Sequence, residues 1–269
     1  MLNNINFGQY YPGNSVIHKL DPRYKIVLTL GLIIVAFVAS NFVSLGLISV
    51  STVLIILLSK IPLKMYLKTI KSIWFFIALT AVINFFFIQT GDVLVEFWKI
   101  KIYSGGVEKA LFIALRIFLL LIMSSALTYT TTPTSLTDAI ESLLKPLSKI
   151  GINIHTFAMM MTIALRFIPT LIEETGKIMN AQKARGASMD DGSIIKRIKA
   201  VIPILIPLLA SSIRRATELA DAMECRCYHG GEGRTRLKVM KSSCRDYISL
   251  IAFAFLIAGV VLINIFFKG

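Results

Sequence analysis

The sequence of 269 residues is strongly apolar, since 55% of its residues are hydrophobic and 16% are charged. A soluble domain carries charge on about a quarter of its residues, so this composition excludes an ordinary soluble protein and indicates an integral membrane protein. The formal net charge is +14. We do not attribute this charge to nucleic-acid binding, because the basic residues flank apolar spans, as they do in the cytoplasmic loops of membrane proteins.

Five apolar segments predict transmembrane helices, since a bilayer requires about 20 apolar residues per helix. The first 24 residues lack the apolar core of a signal peptide, so we expect the first span to be retained. Basic residues precede the first span and separate the second from the third, which predicts a cytoplasmic N-terminus and an external C-terminus. The segments are 26–40, 42–58, 73–88, 107–129 and 247–267.

The region 130–246 differs from the rest, because it holds 17 of the 29 basic residues and 11 of the 15 acidic residues. Its apolar residues recur at helical spacing, which predicts three amphipathic helices on the cytoplasmic side. We therefore predict an all-α integral membrane protein with about five transmembrane helices and, in this coupling region, two long crossing helices. The predicted divisions are 1–129 with the first four spans, 130–246, and 247–269 with the last span.

The three amphipathic helices are predicted at 134–147, 155–185 and about 201–227. Ser135 and Asp138 give the first helix a start that resembles a capping box, and we expect this helix at the membrane surface. The other two begin apolar and end charged. Pro169 is expected to kink the second helix, because proline removes a backbone hydrogen bond.

The two long helices have matching ends, with an arginine between small residues in each. A cation is favourable at a helix C-terminus, and small neighbours allow a partner surface to approach closely. Gly186 suits the left-handed conformation that often ends a helix. Because the second end has no glycine at the matching position, we expect that helix to end later, at 230–231. The two ends read Ala184-Arg185-Gly186 and Cys225-Arg226-Cys227.

These ends and three further segments resemble the transmembrane T component of energy-coupling factor (ECF) transporters, importers of the ABC class. That family carries an Ala-Arg-Gly signature at the end of each of two long coupling helices; the second copy here retains only Arg226. The N-terminal sequence is most similar to the shared, vitamin-type version of the family, and a dedicated cobalt or nickel importer is the alternative. The further segments are SVIHKLDPRYK at 15–25, TTTPTSL at 130–136 and LRFIPTLIEE at 165–174.

The resemblance implies a non-catalytic subunit in the plasma membrane of a prokaryote. Two cytoplasmic ATPase subunits would contact residues 184–186 and 225–227, and a small, interchangeable membrane subunit would bind the substrate. We expect that membrane subunit to contact the apolar parts of the long helices near residues 159–161. No cofactor is expected in this chain, since ATP would be bound by its partners. The sequence accordingly contains no GxxxxGK[ST] phosphate-binding loop.

Several polar residues near the spans are candidates for structural or coupling roles. Arg116 lies inside the fourth span, where a charge requires a partner, so we expect it to bridge helices through an asparagine or a carbonyl group. Arg166 is expected to anchor the second long helix where it leaves the membrane. Asp21, Pro22 and Arg23 form either a polar turn before the first span or a contact with the coupling region.

Two other classes of protein remain as alternatives. A membrane enzyme of the phosphotransferase type would use Asp190 and Asp191, or the three cysteines, which together with His229 would also offer a zinc site. On a helix, however, Cys225 and Cys227 point about 200° apart, and a reducing cytoplasm disfavours a disulfide. A channel or secondary transporter is disfavoured because the spans contain few ionisable residues.

Overall fold

The computed structural model describes residues 10–88, 93–97, 100–151, 153–186, 194–228, 230, 240 and 242–266. Within these residues the regular secondary structure is helical apart from one short hairpin, so the predicted all-α class is confirmed. The helices are α1 (Pro22–Val38), α2 (Phe42–Ser59), α3 (Leu63–Phe87), α4 (Ser104–Thr130), α5 (Pro133–Leu144), α6 (Ile154–Ala184), α7 (Ile194–Glu224) and α8 (Cys244–Phe266). A 3₁₀ helix (Lys145–Ile150) follows α5, and the hairpin is formed by β1 (Val93–Phe97) and β2 (Ile100–Tyr103).

Six of the described helices are long and apolar enough to cross a membrane, judged by length and composition: α2, α3, α4, α6, α7 and α8. Helix α1 has 17 residues, slightly fewer than the roughly 20 that a bilayer requires. The five predicted spans correspond to α1, α2, α3, α4 and α8. The remaining two, α6 and α7, are the long helices predicted from their amphipathic pattern, and each has 31 residues.

The contacts divide the described residues into two units, and the division falls within α5, after Ala139. The first unit contains α1 to α4, the hairpin and α8; the second contains the 3₁₀ helix, α6 and α7. The boundaries proposed from the sequence, after residues 129 and 246, concern membrane topology and stay a prediction.

The first unit has a continuous apolar core. Helices α1, α2, α4 and α8 share one buried cluster, in which Ala36, Leu45 and Ile48 have no exposed surface. A second cluster joins α3 to α4, where the rings of Tyr66 and Tyr129 meet edge to face with centroids 5.4 Å apart. These clusters hold the helices of this unit together as a bundle, because close van der Waals packing stabilises the association of helices in a membrane.

Asn264 joins three helices at the end of the bundle where α1 and α8 finish. Its Oδ1 atom accepts a hydrogen bond from Ser44 Oγ at 2.8 Å, and its Nδ2 atom donates one to the Val38 carbonyl at 3.0 Å. These contacts tie the end of α8 to the start of α2 and to the end of α1. Helices α1 and α8 consequently run in the same direction, and α2 runs opposite to both.

The helix of the third predicted span begins earlier than the sequence predicted. Helix α3 starts at Leu63, ten residues before the predicted span at residue 73. The prediction was wrong because the lysines were interpreted as a loop. Lys64, Lys68 and Lys71 are spaced four and three residues apart, which places them on one face of a helix, and lysine is a good helix former. Helix α7 likewise begins at Ile194 rather than near 201.

The start of α5 also differs from the prediction. Ser135 is not the residue that caps this helix, because α5 begins two residues earlier, at Pro133. The Thr132 hydroxyl accepts a hydrogen bond from the Ser135 backbone N–H at 3.3 Å, so threonine is the capping residue. Proline is favoured at the first helical position because its missing N–H would have no partner there.

The hairpin was not predicted, because the loop after the third span was interpreted from its mixed charges alone. Its strands pair antiparallel, with Glu96 opposite Lys101 and Phe97 opposite Ile100. The run IKIY alternates apolar and polar residues, and VLVEF is rich in β-branched residues. Both features favour strands and were available in the sequence.

Candidate functional site

Helix α6 ends on a glycine in the left-handed conformation. The backbone N–H of Arg185 donates to the carbonyl groups of Ala181 and Gln182, at 3.2 and 3.1 Å. The N–H of Gly186 donates to the Lys183 carbonyl at 3.0 Å, and Gly186 has φ of +86°. Arg185 is thus the last residue of the helical path, and the turn that follows is one that glycine adopts without strain.

Helix α7 ends with a similar backbone bond: the N–H of Cys227, like that of Gly186, donates to the carbonyl group three residues earlier, although a cysteine stands where α6 has a glycine. The N–H of Cys227 donates to the Glu224 carbonyl at 2.8 Å, and that of Tyr228 donates to the Met223 carbonyl at 3.1 Å. Cys227 has φ of +55°. This pair of bonds around a left-handed residue is the Schellman motif, in which Arg226 is the capping residue.

The two arginines therefore occupy the same position relative to a left-handed residue, despite the different neighbours. The expectation that α7 ends later, at 230–231, was wrong. Cysteine at 227 accepts the left-handed conformation, at a cost of about 1–2 kcal/mol relative to a right-handed backbone, and the helix ends at Glu224.

Side-chain contacts show that α6 and α7 pack antiparallel. Glu174 forms an ion pair with Arg215 at 3.0 Å and accepts a hydrogen bond from the Ser211 hydroxyl. Eight residues further along α6, Gln182 donates to the Pro203 carbonyl at 3.4 Å. As the residue number rises on α6 it falls on the facing part of α7. Helix α7 is continuous through Pro203. The C-terminal ends of α6 and α7 therefore point in opposite directions.

The arginines consequently lie at opposite ends of the helix pair. The contacts place residue 200 of α7 beside Arg185, and a rise of 1.5 Å per residue from there to Arg226 separates the two ends by about 40 Å. Both side chains are exposed. Neither forms a hydrogen bond or an ion pair with any described residue. Each is available to an external partner.

The surroundings of the two ends differ in one respect. Arg226 lines a cavity of about 520 Å³ together with Arg166, Met159, Met223 and Tyr228. Among the described residues of this lining there are two arginines and no carboxylate. Arg166, predicted to anchor α6, is therefore brought close to the end of α7. Helix α6 itself continues without interruption across Pro169.

The residues Asp21, Pro22 and Arg23 start α1 and also contact a distant part of the chain. The Asp21 carboxylate accepts a hydrogen bond from the Arg23 N–H at 2.9 Å and caps the helix, with Pro22 as its first residue. The guanidinium of Arg23 forms an ion pair with Asp21 at 2.9 Å and donates to the Met240 carbonyl at 3.1 Å. The segment thus joins α1 to the chain that enters α8.

Asp246 completes this junction and was missed by the sequence analysis. Its side chain is 1% exposed and accepts hydrogen bonds from the N–H groups of Asp21 at 2.9 Å and of Ser243 at 2.6 Å. The second bond is half of a capping box, which the spacing of Ser243 and Asp246 could have indicated. One buried carboxylate therefore serves the first turns of α1 and α8.

Lys25 ties the same end of α1 to α4. Its ammonium group donates to the Thr130 carbonyl at 2.9 Å and to the His18 carbonyl at 3.3 Å. The N-terminal segment is held alongside, since the Tyr11 N–H donates to the Tyr129 carbonyl at 2.9 Å.

Arg116 joins α4 to the C-terminal end of α1. Its guanidinium donates to the Ala39 carbonyl and lies over the Phe112 ring, 4.7 Å from the ring centroid. A carbonyl group at the end of a helix lacks a partner within the helix and carries partial negative charge, so it is a suitable partner for a cation inside the membrane.

The residues proposed for alternative chemistry are only partly described by the structure. Asp190, Asp191 and His229 lie outside the described residues. The three cysteines are exposed and unbridged. Among the residues that are described, no three histidine, cysteine or carboxylate side chains are grouped so as to hold a metal ion.

Six of the described helices are long and apolar enough to cross a membrane, which indicates a multi-pass membrane protein. A family model described as cobalt transport protein (CbiQ) matches residues 13–237. The chain is 48% identical over 266 residues to the energy-coupling factor transporter transmembrane protein EcfT of Clostridium kluyveri, with 98% of each chain covered. It is 52% identical to the protein of the same name from Acidaminococcus fermentans, with 88% of each chain covered.

These similarities settle the family, because the matched part is nearly the whole chain. The protein belongs to the CbiQ family, as a transmembrane component of energy-coupling factor transporters. The resemblance found in the sequence is thereby confirmed.

Proposed function

We propose that the chain transmits ATP-driven motion from two cytoplasmic ATPase subunits to a membrane subunit that binds the substrate. Arg185, framed by Ala184 and Gly186, contacts one ATPase. Arg226, framed by Cys225 and Cys227, contacts the other. The chain itself neither binds nor hydrolyses ATP and carries no cofactor.

The observation that carries this proposal is the shared position of the two arginines, each directly before a left-handed residue that ends a long helix. Each caps its helix, is exposed and has no partner among the described residues. A guanidinium presents five donors in a planar fork, which suits charge-assisted contacts with carboxylate or carbonyl groups of another protein. Two exposed arginines at helix ends, about 40 Å apart by the helical rise, fit two copies of one kind of partner.

The antiparallel packing also bears on the orientation of α6 and α7. If both helices crossed the bilayer, Arg185 and Arg226 would lie on opposite sides of it. Contact with two cytoplasmic ATPases therefore requires the pair to lie along the cytoplasmic face of the plasma membrane. We place the N-terminus on that face too, following the basic residues before the first span.

The exposed apolar side of the helix pair is the surface we assign to the substrate-binding subunit. Phe157 and Met160 on α6 are more than half exposed, as are Leu205 and Ile206 on α7. Such residues on a membrane protein pack against lipid or against another apolar subunit, and methionine adapts readily to different partners.

The cargo has two candidates, each favoured by a separate observation. The resemblance of the N-terminal sequence favours the shared version of the subunit, which serves several substrate-binding subunits for vitamins and related micronutrients. The description of the family model favours a dedicated cobalt importer. Purification of the native complex separates them: several different substrate-binding subunits indicate the shared version, and a single one with metal uptake indicates the dedicated version.

The functional test is ATP-driven uptake in liposomes that contain the full complex. We expect the double variant Arg185→Ala/Arg226→Ala to abolish uptake, because both ATPase contacts are lost. The matched control is Arg214→Ala, which removes an exposed arginine from the middle of α7. Uptake by the double variant at the rate of the control would contradict the proposal.

A further inference from the structure

The helical bundle contains a cavity that the proposed function does not use. It has a volume of about 500 Å³, within the range of ligand-binding sites, and lies among α1, α2, α4 and α8. Leu32 and Met123 belong both to its lining and to the buried core. The cavity therefore continues directly from the packed part of the bundle toward the end at which α1 and α8 begin.

The shape of the cavity matches one leaflet of a bilayer. Its lining on α8 extends from Arg245 to Leu256, which corresponds to about 16 Å along a helix. Half of the hydrocarbon core of a bilayer is about 15 Å. A chain that entered from the membrane surface would thus reach the midplane before it met the packed core.

The chemistry of the lining is divided between its two ends. The deep part is lined mainly by apolar side chains, with Ser51 as its hydroxyl group, whereas the end near the membrane surface has two cations, Lys25 and Arg245. The hydroxyl residues Thr29, Thr130 and Ser249 also line the cavity. None of the described residues that line the cavity carries a carboxylate. Arg245 is exposed and forms no hydrogen bond or ion pair with a described residue, whereas Lys25 is held by carbonyl groups.

The cavity is accessible from the lipid side. Leu54 and Leu58 on α2 and Ile248 on α8 line it and are 53%, 42% and 64% exposed. At the other end of the same two helices, Ser44 and Asn264 are joined by a hydrogen bond. The opening between α2 and α8 is consequently at the charged end, where a lipid headgroup would lie.

We propose that this cavity binds one acyl chain of an anionic phospholipid, whose phosphate contacts Arg245. The apolar depth takes the chain, and the cationic end complements the headgroup. Basic pockets between transmembrane helices bind anionic lipids by this combination of burial and charge. The lipid fills the bundle beside the junction of α1 and α8.

The test uses the full-length chain in nanodiscs of phosphatidylcholine. The probe is phosphatidylglycerol with a diazirine in its acyl chain, and the reference probe is phosphatidylcholine with the same labelled chain. After irradiation, labelled peptides are identified by mass spectrometry. We expect the anionic probe to label the lining positions of α2 and α8 about fivefold more than the reference probe does.

Two pairs of variants separate the headgroup from the chain. Arg245→Gln is expected to remove the preference for the anionic probe, whereas Arg245→Lys retains it. Lys64→Gln, which removes an exposed first-turn cation of α3 outside the lining, leaves it unchanged. Ala252→Trp fills the opening and should suppress labelling by both probes, whereas Ala254→Trp, two residues further and outside the lining, should not.

Three results would overturn the inference. The first is labelling spread evenly over all lipid-facing helices. The second is equal labelling of the lining by both probes, which would mean that a chain enters without recognition of its headgroup. The third is unchanged labelling of the lining in Ala252→Trp. Each variant is compared at equal monodispersity, so a folding defect is not mistaken for lost binding.

Discussion

The bundle of α1 to α4 with α8 buries polar side chains, whereas the pair formed by α6 and α7 exposes an arginine at each end. In the bundle, buried polar groups are paired: Asp246 accepts two backbone hydrogen bonds, and Lys25 donates to carbonyl groups. In the pair, the arginines at both ends are exposed and unpaired within the described chain.

The apolar residues show the same contrast. Most buried apolar residues that the structure describes lie in the bundle, whereas α6 and α7 contribute Ile154, Ala158 and Ile204. Helices inside a bilayer are held together by close packing and by interhelical hydrogen bonds, and the bundle has both. The helix pair leaves its apolar side and its charged ends uncovered, which is typical of a surface completed by other subunits. Substitutions in the bundle should therefore change folding, and substitutions at the ends of the helix pair should change assembly.

The largest expected effect on folding is in the bundle, at Asp246. Asp246→Ala leaves the buried N–H of Asp21 and the part-buried N–H of Ser243 without this acceptor, so we expect the free energy of unfolding to fall by about 3 kcal/mol. The measurement is thermal unfolding of the purified chain in detergent. Asp221→Asn, at an exposed position of α7, is the control and should leave the midpoint unchanged. Equal midpoints for both variants would refute a structural role for Asp246.

A smaller effect, on assembly alone, is expected at the helix ends. Arg185→Ala and Arg226→Ala should each weaken the binding of an ATPase subunit by roughly tenfold to a hundredfold, as expected for the loss of charge-assisted hydrogen bonds. The dissociation constant is measured with purified ATPase, and the unfolding midpoint should match that of wild type. If either variant unfolded at a lower temperature and bound normally, its arginine would be a folding residue.

The smallest effect concerns the left-handed residues that end the helices. Cys227→Gly should stabilise the end of α7 by about 1 kcal/mol, because glycine adopts positive φ without strain. Gly186→Ala should weaken the end of α6 by a similar amount. An added Cβ at Gly186 has no atom within 4 Å, so the effect there comes from the backbone alone.

Hydrogen exchange of the backbone amides near each end measures this difference. Protection of the Tyr228 amide should increase about fivefold in Cys227→Gly, and protection near Gly186 should decrease in Gly186→Ala. Unchanged protection at both ends would mean that partner contacts, rather than the intrinsic preference of the backbone, determine where each helix ends.

The sequence predicted what depends on local pattern and failed where distant residues decide. Helix α2 matches its predicted span within one residue, because an uninterrupted apolar run leaves little choice of boundary. The matching arginines could be predicted because each lies directly beside the residues that end its helix. The junction of Asp21 with Asp246 joins residues 225 positions apart, and a single sequence contains no signal for such a pairing.

Two errors have a common physical cause. The late start predicted for α3 and the late end predicted for α7 both gave one residue type too much weight. Lysines continue a helix readily, and a cysteine takes the left-handed conformation for a modest cost that the two hydrogen bonds of the motif offset. The antiparallel arrangement of α6 and α7 was not accessible either, since it follows from contacts such as that of Glu174 with Arg215.

The most direct test of the central claim is photo-crosslinking at both helix ends in the assembled complex. A photoreactive amino acid is placed at Lys183 or at Glu224, exposed positions close to Arg185 and Arg226, and at Thr217 as an exposed mid-helix control. We predict that both ends crosslink to an ATPase subunit, through equivalent surfaces of that subunit, and that Thr217 does not. Crosslinks from one end alone, or to unrelated ATPase surfaces, would contradict the account.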